Sequence, residues 1–98
     1  MKTKYRISRK ALEDIDKIWV YTFENWSANQ ANHYYRLIYQ EINFVTEDFE
    51  SGKNIDEIKL GYKQVKMKSH LIIYKKGDDG VVEIVRVLHQ MMDIPNQL

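Results

Sequence analysis

Cysteine is absent from the chain. Disulfides, thiolate nucleophiles and cysteine-ligated metals are therefore excluded, and a reducing compartment is permitted. Proline occurs once, at Pro95, so nothing of that kind interrupts a helix or strand before the end of the chain. Glycine is scarce, and Gly77 and Gly80 bracket a hairpin turn instead of leading a strand into a helix, which argues against a phosphate-cradling loop. No apolar run approaches the length of a membrane span. The opening Met1-Lys-Thr-Lys-Tyr-Arg-Ile7 lacks the apolar stretch of a signal peptide, and the expected location is the cytoplasm, with no membrane partner. His33, His70 and His89 are the only histidines, and none has a second metal-ligating side chain at short spacing, so neither a metal site nor a cofactor is expected. The serines offer no nucleophile, since Ser8 and Ser27 read as helix caps and Ser51 and Ser69 as turn residues.

What is present describes a folded domain. With 44% hydrophobic and 30% charged residues over 98 positions, the chain has an ordinary globular balance, and residues 1–98 are expected to form a single domain. The net charge of +1 conceals a strong asymmetry along the chain. Residues 11 to 58 hold ten acids against Lys17, Arg36 and Lys53, whereas residues 59 to 76 hold six lysines and no acid. A basic strand region beside an acidic helical half follows. Lysines protect exposed sheet edges, and they also draw acidic partners or nucleic acid.

Periodicity supplies the elements. Tyr5 and Ile7 alternate with charged neighbours in a short first strand. Ser8 then fits a helix N-cap, and Leu12, Ile15, Trp19, Phe23 and Trp26 recur at three- and four-residue spacing, which predicts one helical face. Ser27-Ala-Asn-Gln30 has the form of a capping box, with Trp26 placed to staple onto Ala31. A second helix follows, its stripe running through Ala31, Tyr34, Tyr35, Ile38, Ile42, Val45 and Phe49. The aromatic residues Trp19, Trp26, Tyr34, Tyr35 and Tyr39 are assigned to the core by that spacing. With almost no residues between them, the two helices form an antiparallel hairpin. Ser51-Gly-Lys-Asn54 closes the second helix, and Ile55 and Ile58 pin the following loop to the core.

Beyond Gly61 the period becomes that of a strand. Tyr62 to Lys68 and the apolar run Leu71 to Tyr74 are strands, Gly77-Asp-Asp-Gly80 is a turn, and Val81 to His89 is the last strand. The fold class is thus α+β: strand, two-helix antiparallel hairpin, then a three-stranded antiparallel meander, with the helices covering one sheet face. The segment after the meander stands out. Met91 and Met92 follow the sheet where the chain is leaving the core, and Pro95 is expected to prevent a regular helix there.

Several pieces of this order resemble the ParE branch of the ParE/RelE toxin superfamily over nearly the whole chain. They are Tyr5-Arg-Ile-Ser-Arg-Lys-Ala-Leu-Glu-Asp-Ile15, Ile18-Trp-Val-Tyr21, Trp26-Ser-Ala-Asn-Gln-Ala31, Gly61-Tyr62, Ser69-His-Leu-Ile-Ile-Tyr74, and Arg86-Val-Leu-His89 with Met92-Asp93. Relatives often carry an arginine just before the Met-Asp pair, where this chain has Met91.

The resemblance implies a type II toxin that inhibits DNA gyrase and is neutralised by a ParD-like antitoxin in a hetero-oligomer. On that reading His89, Gln90, Met91, Met92, Asp93 and Ile94 form the target-binding segment, Lys63, Lys66 and Lys68 meet the antitoxin, and no residue is catalytic. The related RelE-type ribonucleases set basic residues at places that align with Leu71, His89 and Gln90, often with a terminal tyrosine. Metal-free RNA cleavage needs a base, an acid and positive charge at the phosphorane. Neutral Leu71 and Gln90 supply no guanidinium charge. The alternatives are a ribosome-dependent endoribonuclease with an atypical site built on His70 or His89 and the lysines, and a nontoxic binding module.

Overall fold

A computed structural model describes residues 5–98. Strand β1 (Tyr5–Ile7) leads into α1 (Arg9–Asn25) and α2 (Ala28–Glu47). A 3-10 turn (Phe49–Ser51), β2 (Lys53–Asn54), β3 (Lys63–Met67), β4 (His70–Lys76), β5 (Val82–His89) and a four-residue helix, α3 (Ile94–Gln97), complete the order. The five strands form one sheet in the order β1-β5-β4-β3-β2. The meander β3-β4-β5 is antiparallel, as its short turns require, and β1 lies parallel to β5 with Tyr5 opposite Val82.

Local chemistry sets the helix starts. The Ser8 hydroxyl oxygen accepts from the Ala11 N–H at 3.0 Å and donates to the Val85 carbonyl at 2.7 Å, so one side chain caps α1 and ties it to β5. Ser27 caps α2 through the Gln30 N–H at 3.1 Å. In the β4–β5 turn the Gly80 N–H donates to the Gly77 carbonyl and Gly80 has φ +82°, a conformation that glycine adopts without steric cost.

The sheet has two packed faces. Toward the helices, Ala11, Ile15, Ile38, Ile42, Val45, Met67, Ile72, Tyr74, Ile84 and Val87 form the main core. The Tyr74 hydroxyl within that core donates to the Phe49 carbonyl at 2.9 Å. A Cβ at Gly52 would lie 2.0 Å from the same hydroxyl, so only glycine fits there. The opposite face buries Ile55, Tyr62, Leu71, Ile73, Leu88 and Ile94 beneath the 55–62 loop and the tail, with Ile58 packed beside them.

A bulge in β5 joins these layers. Ile73 pairs with Arg86 while Tyr74 pairs with Ile84, which leaves Val85 as the extra residue. Ile84 and Val87 both reach the helix-side core, and Arg86 is turned toward α1.

Four expectations are corrected. The stripe on α1 is buried only in part: Ile15 is buried as expected, together with Ala11, while Leu12, Phe23 and Trp26 are exposed. Trp19 instead stacks on Phe23 and donates its indole N–H to Asn32 across the hairpin. Of the aromatics assigned to the core, Tyr34 and Tyr39 are half-buried and Tyr35 is exposed. Lys53 and Asn54 add a fifth strand on the edge of β3. Finally, α3 forms across Pro95 because proline occupies its first turn, where a missing N–H breaks no intrahelical bond.

The tail is consequently part of the fold. Ile94, expected to be available to a target, is 9% exposed against the far sheet face. Replacing Ile94 with alanine should lower the unfolding free energy by about 2 kcal/mol. Urea denaturation reads this directly, and an unchanged midpoint would mean that the tail is detached in solution.

Candidate functional site

An open groove of about 570 Å³ lies at the end of the sheet where the β3–β4 turn and the end of β5 meet α1 and the start of α2. Helix α1 contributes Asp14, Lys17, Ile18, Tyr21 and Thr22 from one face, spaced at three and four residues, and Trp26 follows at the helix end. Tyr34 comes from α2, Lys68, Ser69 and His70 from the β3–β4 turn and the start of β4, and His89 and Met92 from the end of β5 and the residues after it. Much of the wall is therefore aromatic or aliphatic, with lysines at Lys17 and Lys68.

The groove's backbone is shaped at Lys68, which has φ 55° and is the only non-glycine residue with positive φ among the described residues. That conformation costs on the order of 1 kcal/mol for a residue with a Cβ and turns the chain between two hydrogen-bonded strands. It sets a cation at the groove wall. Trp26, 65% exposed, meets Tyr21 edge to face with ring centres 6.2 Å apart.

At the inner end two imidazoles lie side by side. His70 and His89 are register partners on β4 and β5, with ring centres 5.3 Å apart and planes nearly perpendicular. The Tyr34 oxygen is 2.7 Å from His70 Nδ1, while its contact with the Met67 carbonyl is a long 3.5 Å. Burial pushes His70 down to about 4, helped by the neighbouring His89 and opposed by Asp14. Burial also raises Tyr34, which keeps its proton. The shorter contact therefore assigns the hydroxyl as donor to Nδ1 and leaves the His70 proton on Nε2. His89 Nδ1 in turn accepts from the Met91 N–H at 3.1 Å, which places the ring hydrogen on Nε2. Both Nδ1 lone pairs are engaged, and each ring offers the groove an N–H donor and no free basic nitrogen.

Since the unfolded chain protonates His70 near 6.5 and the folded chain only near about 4, the unfolded state binds more protons between these values. The His70 contribution to stability is complete above pH 6.5 and is lost as pH falls toward 4. Denaturation at pH 7 and pH 5 should show a loss in the wild type that His70→Gln reduces. Equal losses in both proteins would show that the imidazole is not held neutral.

Below the groove, Asp14 and Arg86 join α1 to β5. Arg86 Nε and one terminal nitrogen donate to the two Asp14 oxygens at 2.8 and 2.9 Å, and the Val87 N–H adds a third bond at 3.0 Å. The second terminal nitrogen of Arg86 reaches the Gln97 carbonyl at 3.1 Å. The Asp14 carboxylate holds the guanidinium above its usual pKa. Both side chains are largely covered, at 14% and 11% exposure.

The residues singled out in the sequence are dispersed. His89 and Met92 line the groove, while Gln90, Met91 and Asp93 are exposed outside its lining. Lys68 lines it too. Lys66 is exposed on β3, and Lys63 is half-buried and paired with Glu50 at 3.2 Å. Leu71 points to the far sheet face, under the tail. Lys17, Tyr21, Trp26 and Tyr34 were missed as site residues. The recurrence of Asp14, Lys17, Ile18 and Tyr21 was the available signal, and its mixed polarity hid it behind the more apolar neighbouring stripe.

The molecule is thus a mostly antiparallel five-stranded sheet covered by a helical hairpin, with an aromatic groove at one sheet end. Over residues 5–94 the chain matches the family described as "ParE toxin of type II toxin-antitoxin system, parDE". It belongs to that family. It is 33% identical to Toxin ParE1 of Mycobacterium tuberculosis (strain ATCC 25618 / H37Rv) over 98 residues, covering all of both chains. With Toxin ParE1 of Caulobacter vibrioides it shares 37% identity over 89 residues, 91% of each chain. The fold also resembles a solved structure described as "Chromosomal ParDE TA system from P. aeruginosa", with a TM-score of 0.74 over 88% of this chain and 96% of that one, at 13% identity.

Proposed function

We propose that the chain is a non-enzymatic toxin that inhibits DNA gyrase through its groove and is silenced when a ParD-like antitoxin covers the same surface. Gyrase and the antitoxin would meet it in the cytoplasm. The observation that carries this reading is the state of the two histidines. An RNA-cutting site needs a nitrogen or carboxylate free to take a proton from the ribose hydroxyl and fixed positive charge at the phosphorane. Here both Nδ1 atoms already accept hydrogen bonds, and no arginine lines the groove. Arg6 is committed to Asp79 and Glu83, and Arg86 to Asp14. What remains is a surface for recognition, with aromatic and methionine side chains for apolar anchors and Lys17 and Lys68 for acids on a partner.

The purified chain should inhibit gyrase supercoiling or trap cleaved DNA, and should leave ribosome-bound messenger RNA intact. Site-specific RNA cleavage at catalytic protein concentrations, abolished by His89→Ala or His70→Ala, would falsify the non-enzyme reading. Addition of the cognate antitoxin should restore supercoiling.

A further inference from the structure

A second cleft, of about 280 Å³, lies between the first turn of α1, the 55–62 loop and the tail. Its lining includes Arg9, Lys10, Lys59 and Arg86 and, among the described residues, no Asp or Glu. In a chain with 15 basic and 14 acidic residues, a four-cation lining without an Asp or Glu side chain is a pronounced local excess. Arg86 is occupied by Asp14 and by the Gln97 carbonyl. Arg9 and Lys10 are exposed and form no side-chain hydrogen bond or ion pair among the described residues. Lys59 donates to a main-chain oxygen of Leu98 at 3.2 Å and lies over the Tyr62 ring. Main-chain oxygens of the tail therefore already accept from Arg86 and Lys59, and of the three exposed cations Arg9 and Lys10 are the two without a hydrogen-bond partner among the described residues.

We infer that this cleft holds the phosphates of a nucleic-acid backbone, with Arg9 and Lys10 on one wall and Lys59 on the other. The chemistry required is that of oxygen anions in series. Exposed cations on both sides of an open cleft suit a chain of phosphates passing between them, whereas a small free anion is held by an enclosed set of donors. Nothing in the lining presents a base-reading pattern, so recognition should be independent of sequence. The inference is separate from the gyrase reading, because the cleft and the groove share no lining residue and direct binding can be measured without gyrase.

The test is fluorescence anisotropy of a labelled 20-base-pair DNA duplex, and of RNA of equal length, titrated with the purified chain. Three cations on three phosphates predict a log–log salt slope of about −2.7, which is a loss of roughly 40-fold in affinity between 50 and 200 mM salt. The double variant Arg9→Gln/Lys10→Gln should reduce the slope by about 2, and adding Lys59→Gln should abolish the remainder. Removing two cations elsewhere, Arg36→Gln/Lys76→Gln, should leave the slope unchanged. Binding of DNA, of RNA or of both supports the cleft and tells which backbone it takes. An equal loss in the control variant would overturn it, as would retention of binding in the triple variant. Displacement of the duplex by equimolar inorganic phosphate would identify a small-anion pocket and overturn the backbone assignment. Because the three residues are exposed, circular dichroism of each variant should match the wild type.

Discussion

Asp14→Ala should unfold this protein more readily than any surface substitution on the same helix, by about 3 kcal/mol, because the change strands the Arg86 guanidinium with little access to water. In a domain of this size each kcal/mol moves the melting temperature by roughly 4–8 °C, so a fall of about 15 °C is expected in a calorimetric scan. The carboxylate also accepts from the Val87 N–H, which loses its partner in the same variant. Arg86→Met alone should cost a similar amount, since Asp14 would then be left covered and unpaired by its guanidinium. The pair replaced together, Asp14→Leu with Arg86→Met, should recover much of the loss, as apolar groups of similar volume do at buried ion pairs. Single substitutions that cost under about 1 kcal/mol would place the pair among exposed salt bridges instead.

The second large effect is expected in binding and not in folding. Trp26→Ala should leave the stability within about 0.5 kcal/mol, since the ring is mostly in solvent and its one aromatic neighbour is Tyr21. Affinity for the antitoxin should nevertheless fall about 30-fold, the 2 kcal/mol scale of an aromatic interface anchor. Met92→Asp, which sets a charge among the apolar groove residues, should act in the same direction and weaken growth inhibition. Calorimetric titration and a growth assay on the same variants separate the two contacts. If both variants bind antitoxin and arrest growth as the wild type does, the partner surface lies elsewhere on the molecule.

The parts of this fold that were legible in the sequence are those decided locally. Ser8 and Ser27 announce their helices because a cap needs only its own next three residues, and Gly77 to Gly80 announce their turn for the same reason. The meander follows from short turns. Strand β2 was not legible because two polar residues carry no alternation, and they pair only because β3 offers an edge. Burial of Ile94 depends on the far sheet face being apolar, through Leu71, Ile73 and Leu88, a property of strands distant in sequence. The α1 face was misread because Leu12, Trp19 and Phe23 make as good an apolar stripe as Ala11, Ile15 and Ile18, and small Ala11 carries little weight in a periodicity count.

The candidate site was legible at its ends and not at its centre. His89 and Met92 were found from the sequence, as was Lys68, since they lie in or beside a turn or strand end. Trp26 and Tyr34 were assigned to the core from helical spacing. Their exposure along the groove becomes visible only when α1 is rotated to bury Ala11, which turns Asp14, Lys17 and Tyr21 toward the ends of β4 and β5. The Tyr34–His70 bond spans 36 positions and the Asp14–Arg86 bonds span 72, so neither has a local signature.

The parallel pairing of β1 with β5 has a consequence for the order of synthesis. The strand that emerges last from the ribosome is the one inserted between the first strand and β4, and it supplies a groove wall through His89 together with the Arg86 partner of Asp14. A nascent chain that ends before Val82 has its helical hairpin but neither the closed sheet nor the groove, and its loop-closure cost is still unmet. The groove is thus completed by β5, and any partner that binds there finds its surface only once that strand is in place.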